Sequence, residues 1–169
     1  MLGFINPDNS CSFTGYRPEK LPWGDDESAP RCEILKENLI CTVLQAIQLG
    51  KQHFLCGMAR GSDLYFCEAV IFLRKRYPGI TIEAAIPHKA QAIKWHTQEQ
   101  ERYNQLKNQC DLLTFVSDEY SSSCMMRRNR YMVKNSSLLI SVYDGKPGGT
   151  HNTVKYARKR GLEIIEIVP

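Results

Sequence analysis

Three glycine-bearing turns hold the residues of this chain whose types and spacing fit anion chemistry. They are Thr14-Gly15-Tyr16-Arg17, Gly57-Met58-Ala59-Arg60-Gly61-Ser62-Asp63 and Asp144-Gly145-Lys146-Pro147-Gly148-Gly149-Thr150. Glycine lets bare backbone approach a ligand, and a helix opening after such a turn aims its first unbonded N–H groups at an anion lying there. The implied chemistry is a phosphate cradle. Gly57, Gly61, Gly148, Gly149 and the Thr150 hydroxyl would form it, with Thr14, Gly15 and Ser62 beside them. Arg17 and Arg60 bring positive charge, and Asp63 and Asp144 are candidate acceptors for ribose hydroxyls. For Asp63 and Thr150 a helix N-cap is the alternative, and any one of the turns also reads as an ordinary strand-helix connection.

The run Met125-Met126-Arg127-Arg128-Asn129-Arg130-Tyr131 is the densest cation cluster, either a solvated helix face or a strip for nucleic-acid phosphates. Trp95, Tyr103 and Tyr131 have the shape to stack on a base, and aromatics at helical spacing equally fill a core. His88, just after Pro87, is the histidine best placed for a strand end, and His53 reads as structural. Spacing gives no Ser-His-Asp or Cys-His arrangement. An enzymatic reading, hydrolysis of a nucleotide glycosidic or phosphate bond, needs Glu68, Glu119, Asp63 or Asp144 as its acid or base. The seven cysteines stand singly with no C-x-x-C pair, so they read as reduced, buried thiols and not as a metal site or a disulfide scaffold.

Positioning these turns is the work of alternating strands and helices. Apolar runs predict strands at 10–14, 53–56, 80–86, 111–116, 138–143 and 163–168. Helical spacing predicts helices at 31–49, 64–76, 90–108, 124–134 and 150–160. The segment 19–30, with Pro22, Pro30 and Asp25-Asp26-Glu27, reads as an exposed loop long enough to fold over a site. The expected fold class is α/β: a Rossmann-like three-layer α/β/α sandwich whose mostly parallel sheet has about six strands. The fourth strand either extends the sheet beside the third or crosses beyond the first. In such sheets ligands bind beyond the C-terminal strand ends, where strand order reverses, and all three turns follow strands.

At 169 residues, 43% hydrophobic and 24% charged, the chain fits a single domain over 1–169. A net charge of +4 is too modest to define a partner. There is no long apolar stretch and no signal-peptide pattern, so the expected location is cytoplasmic, with no membrane association.

FTGYRPEKL (13–21), GMARGSD (57–63), Pro87-His88 through Gln91 to Trp95 and Tyr103, RRNRYMV (127–133) and SLLISVYDGKPGGT (137–150) occur in this order. Together they resemble the YpsA-like proteins of the SLOG superfamily, and the resemblance spans nearly the whole chain. It implies a Rossmann-like domain that binds a nucleotide-derived ligand such as a mononucleotide, ADP-ribose or an NAD-like molecule, with a possible homodimer by analogy. The DprA family, whose members bind single-stranded DNA, is similar at Arg60, at Arg128-Asn129-Arg130 and at Gly148-Gly149-Thr150. That similarity adds Asn129 and Arg130 to the candidate ligand-binding residues and single-stranded nucleic acid to the candidate partners. The Lonely Guy phosphoribohydrolases share the proline-glycine-glycine turn, but the helix after it here carries no acid before Arg160, where those enzymes have a catalytic glutamate. Binding is therefore the expectation over hydrolysis.

Overall fold

The computed structural model describes residues 5–169. Its strands are β1 (Ser10–Gly15), β2 (His53–Cys56), β3 (Thr81–Ile86), β4 (Leu112–Phe115), β5 (Leu138–Val142) and β6 (Glu163–Ile167). Its α-helices are α1 (Pro30–Gln48), α2 (Ser62–Arg74), α3 (Thr97–Lys107), α4 (Cys124–Lys134) and α5 (Gly149–Lys159). The six strands form one parallel sheet in the order β4-β3-β2-β1-β5-β6. β4 thus extends the sheet beside β3, and the chain reverses direction across the sheet between β1 and β5. Right-handed crossovers put α1, α2 and α3 on one face and α4 and α5 on the other. Accordingly α2 packs against both α1 and α3, and α4 packs against α5.

The central strands are buried because both faces of the sheet are covered: β5 is buried along its whole length, while the edge strand β6 has no fully buried residue. The core on the α2 face is built around Phe13 and Phe66, whose rings stack at 4.6 Å, with Phe54 tilted against Phe66. A smaller cluster of Leu55, Ala85 and Met132 lies under α4. At its edge the buried Glu83 carboxylate accepts from Tyr131 Oη at 2.7 Å and pairs with His53 Nε2 at 2.9 Å. Burial pushes the Glu83 carboxyl up, but hydrogen bonds from His53, Thr114 and Tyr131 outweigh it and hold the group below its usual range.

The predicted helix over 90–108 is shorter than expected. It starts only at Thr97, where Glu99 Oε2 accepts from the His96 N–H at 3.2 Å and sets the first turn. The preceding segment is drawn onto the second glycine turn instead, since Gln91 Nε2 donates to Met58 O at 2.9 Å. Trp95 and Tyr103 pack edge to ring at 5.2 Å against the core, which answers the stacking alternative in favour of packing.

Candidate functional site

The loops after β1, β2 and β5 meet at the C-terminal rim of the sheet, at the reversal point, around a cavity of about 280 Å³. Thr14, Gly15, Arg17, Asp63, Asn129, Gly149 and Thr150 line it, as do Tyr16, Lys20, Met125 and Arg128. The start of α5 opens into this space. Its N-cap is Gly148 at φ +149°, in the region that favours glycine, and no side chain caps it. The first N–H groups of α5 therefore keep their capacity for an outside acceptor. Thr150 is the second residue of the helix and does not act as its cap. A Cβ on Gly148 would overlap the ammonium of Lys20, which also lies 5.5 Å over the Tyr16 ring. The bare backbone here admits a cation to the mouth of the helix.

The floor of the cavity rests on one buried arginine. Arg128 is 4% exposed; its guanidinium donates to the carbonyl oxygens of Gly57 and Ala85, and its Nε donates to Asn129 Oδ1 at 2.8 Å. A Cβ on Gly57 would stand 2.5 Å from Arg128 Cζ and 2.8 Å from Asp63 Oδ2, so this glycine is the gap through which the two charges face each other. Burial pushes the Asp63 carboxyl up, opposed by Arg128, the Ala59 N–H at 3.0 Å and Arg17. Burial likewise pushes the Arg128 guanidinium down, and Asp63 opposes it. Asp63 is not the cap of α2. That position belongs to Gly61 at φ +80°, where a Cβ would crowd Pro18 and the Tyr16 carbonyl. Ser62 donates its Oγ to Tyr16 O at 2.6 Å and ties α2 to the loop after β1. Gly57, Gly61 and Ser62 thus shape the wall without lining the cavity.

Three expected ligand residues lie elsewhere. Arg60 is held by carboxylates: Glu99 at 2.5 Å, Glu19 at 2.9 Å and Asp25 at 3.0 Å. It lines neighbouring clefts, not the rim cavity. With Glu27 bound to Arg102 and to Lys36, these pairs pin the segment 19–29 down. Asp144 is exposed and bonded by Lys146 at 2.6 Å and by the Tyr16 hydroxyl; the Lys146 bond first, then Tyr16, lowers its carboxyl to about 2. Arg130 lies over the Tyr156 ring at 5.4 Å, in a second cavity between α4 and α5. His88 is buried edge-on to Tyr120. Glu68 pairs with Arg102, and Glu119 is exposed.

Tyr16, Lys20 and Met125 line the cavity without having been singled out as ligand residues, and Arg128, expected only as part of a strip for nucleic-acid phosphates, lines it as well. For Arg128 a signal existed. Cys124, Arg128 and Met132 recur at four-residue spacing and are all buried, so Arg128 sits in the apolar stripe of α4 and not on its solvated face.

A parallel sheet with a glycine-walled cavity at its reversal point defines the Rossmann-like class of ligand-binding folds. The family model YpsA, described as the YspA SLOG family, matches residues 11–165, and the chain belongs to that family. It is similar to the SPbeta prophage-derived protein YoqJ of Bacillus subtilis, 31% identical over 141 residues that cover 76% of this chain and 82% of the relative. It is also similar to a UPF0398 protein of Oenococcus oeni, 30% identical over 157 residues covering 89% and 81%. Among solved structures, DprA of Helicobacter pylori superposes with a TM-score of 0.64 at 15% identity, and DprA of Streptococcus pneumoniae with 0.61 at 11%. These cover 95% and 94% of this chain but only 65% and 50% of the DprA chains, so the likeness is one of fold over part of those proteins. No helix among the described residues is long and apolar enough to cross a membrane.

Proposed function

We propose that this protein binds a phosphate-bearing, nucleotide-derived ligand in the rim cavity, with the phosphate at the amino end of α5. One observation carries the reading: an α-helix that starts without a side-chain cap opens into a cavity lined by Arg17, Lys20 and the buried Arg128. The helix dipole and its unbonded N–H groups attract an anion, and the cations compensate its charge. Thr150 adds a hydroxyl donor. Asp63 and Glu19 also line the cavity, and Asp63 fits the role of acceptor for a sugar hydroxyl. A mononucleotide, ADP-ribose or an NAD-like molecule carries both groups.

The second reading, single-stranded nucleic acid, is favoured by the fold it shares with DprA of Helicobacter pylori, a protein reported to bind single-stranded DNA. Phosphate contacts of that kind predict affinity that falls steeply with salt.

Calorimetric titration with AMP, ADP-ribose and a short oligothymidylate, using wild type and Thr150→Asp, tests the reading. A carboxylate in the first turn of a helix stabilises the helix but occupies the electrostatic position of the phosphate. The expected result is loss of binding at an unchanged or raised melting temperature. Equal affinity in Thr150→Asp refutes placement of the phosphate at α5.

A further inference from the structure

The second cavity, about 380 Å³, lies between α4 and α5 and shares Met125, Asn129 and Gly149 with the rim cavity. Gly149 is the first residue of α5, so the two cavities adjoin at the helix start. Their linings differ in chemistry. The rim cavity carries Arg17, Lys20, Arg128 and two carboxylates, whereas the second is lined by no acid and by a single cation, Arg130.

Arg130 Cζ lies 5.4 Å from the centre of the Tyr156 ring, a cation–π contact that restrains the guanidinium beside the cavity. Among the described residues it forms no ion pair, unlike Arg60, Arg74, Arg102 and Arg158. Met125 and the half-exposed Met126 add polarisable, adaptable surface, and Asn152 and Ser122 offer donors and acceptors at the margin. A flat, cationic, acid-free platform with polar groups at its edge suits a planar, electron-rich ring more than a second phosphate. A phosphate would be better served by convergent cations, and those line the neighbouring cavity.

We propose that the second cavity is a nucleobase subsite, in which the base of the bound nucleotide stacks on the Arg130 guanidinium while its phosphate lies at the start of α5. The proposal rests on the phosphate reading above and makes Arg130 a base contact in place of a phosphate contact. Asn152 and Ser122 then meet the edge of the base.

The test is calorimetric titration with inorganic phosphate, ribose 5-phosphate, AMP and CMP against wild type, Arg130→Ala and Arg130→Lys. Base stacking predicts that AMP binds wild type on the order of tenfold more tightly than ribose 5-phosphate does. Arg130→Ala should abolish that advantage and leave ribose 5-phosphate unchanged. Arg130→Lys, which keeps the charge and loses the plane, should behave like Arg130→Ala. Matching melting temperatures for the three proteins separate these effects from misfolding. Equal affinity of wild type for AMP and ribose 5-phosphate overturns the base subsite and leaves the phosphate reading standing. An equal loss for both ligands in Arg130→Ala, restored by Arg130→Lys, also overturns it and makes Arg130 a phosphate contact. Failure of all four probes to bind wild type overturns both readings.

Discussion

Replacing Gly57 by alanine puts the architecture of the site to its sharpest test. The added methyl would lie 2.5 Å from Arg128 Cζ, 2.8 Å from Asp63 Oδ2 and closer still to the Arg128 terminal nitrogen. The obstruction is a guanidinium buried to 4% exposure and bonded to two backbone carbonyls, so it cannot swing aside at little cost. Displacing it takes a donor from the Gly57 and Ala85 carbonyls, leaving Gly57 O only a long bond from Gln91 Nε2, and removes the cation facing Asp63. Disrupting a buried charge pair from one side costs about 3–5 kcal/mol. At a urea m-value near 2 kcal/mol/M, the unfolding midpoint should fall by roughly 2 M. Pairing the substitution with Arg128→Met separates this clash from any general intolerance of the turn. With the guanidinium gone, Gly57→Ala should cost less than in wild type, by a coupling of about 0.5–3 kcal/mol. A midpoint shift in Gly57→Ala within experimental error, or additive effects in the double variant, refutes the account of Gly57 as the gap for Arg128.

Two further outcomes follow from the ionic groups. The Glu83 carboxyl is held below its usual range in the folded protein, so its contribution to stability is complete above the ordinary value of 4.5 and is lost as pH falls through the folded value. Glu83→Gln should therefore be less stable near pH 7 by about 1–3 kcal/mol, with the gap to wild type closing toward pH 3 in a melting-temperature series; parallel curves contradict this. Arg102→Ala releases Glu27 and Glu68, all three partly exposed, and should cost about 1 kcal/mol at low salt. The loss should shrink in 1 M NaCl, and a salt-independent loss points to packing on the Tyr65 ring instead.

The sheet was legible in the sequence because burial on both faces leaves near-continuous apolar runs such as Leu138–Val142, broken only by Ser141. Helix α4 is also bounded as its pattern predicts, at Cys124–Lys134. The rim followed from the three turns, since a glycine turn after a parallel strand opens at the same edge wherever it occurs. What stayed hidden depends on contacts across long sequence separations. Arg60 stands in a glycine turn, as an anion-binding arginine would, and nothing local reveals that Glu19, Asp25 and Glu99 converge on it. Lys20 reaches the α5 start from a loop pinned along 19–29; its length showed that it could fold over a site, but not the ion pairs that hold it there. Arg128 was obscured by its neighbours Arg127 and Arg130, whose charges give the run the look of a solvated face.

Whether the amino end of α5 receives a phosphate is decided by an amide-resolved NMR titration of the 15N-labelled protein with AMP. Saturable shifts of the Gly149 and Thr150 amides and of the Arg17 side chain are expected, reproduced in part by inorganic phosphate. Saturable shifts confined to other residues, such as those around Arg60 and Glu99, contradict a phosphate at α5.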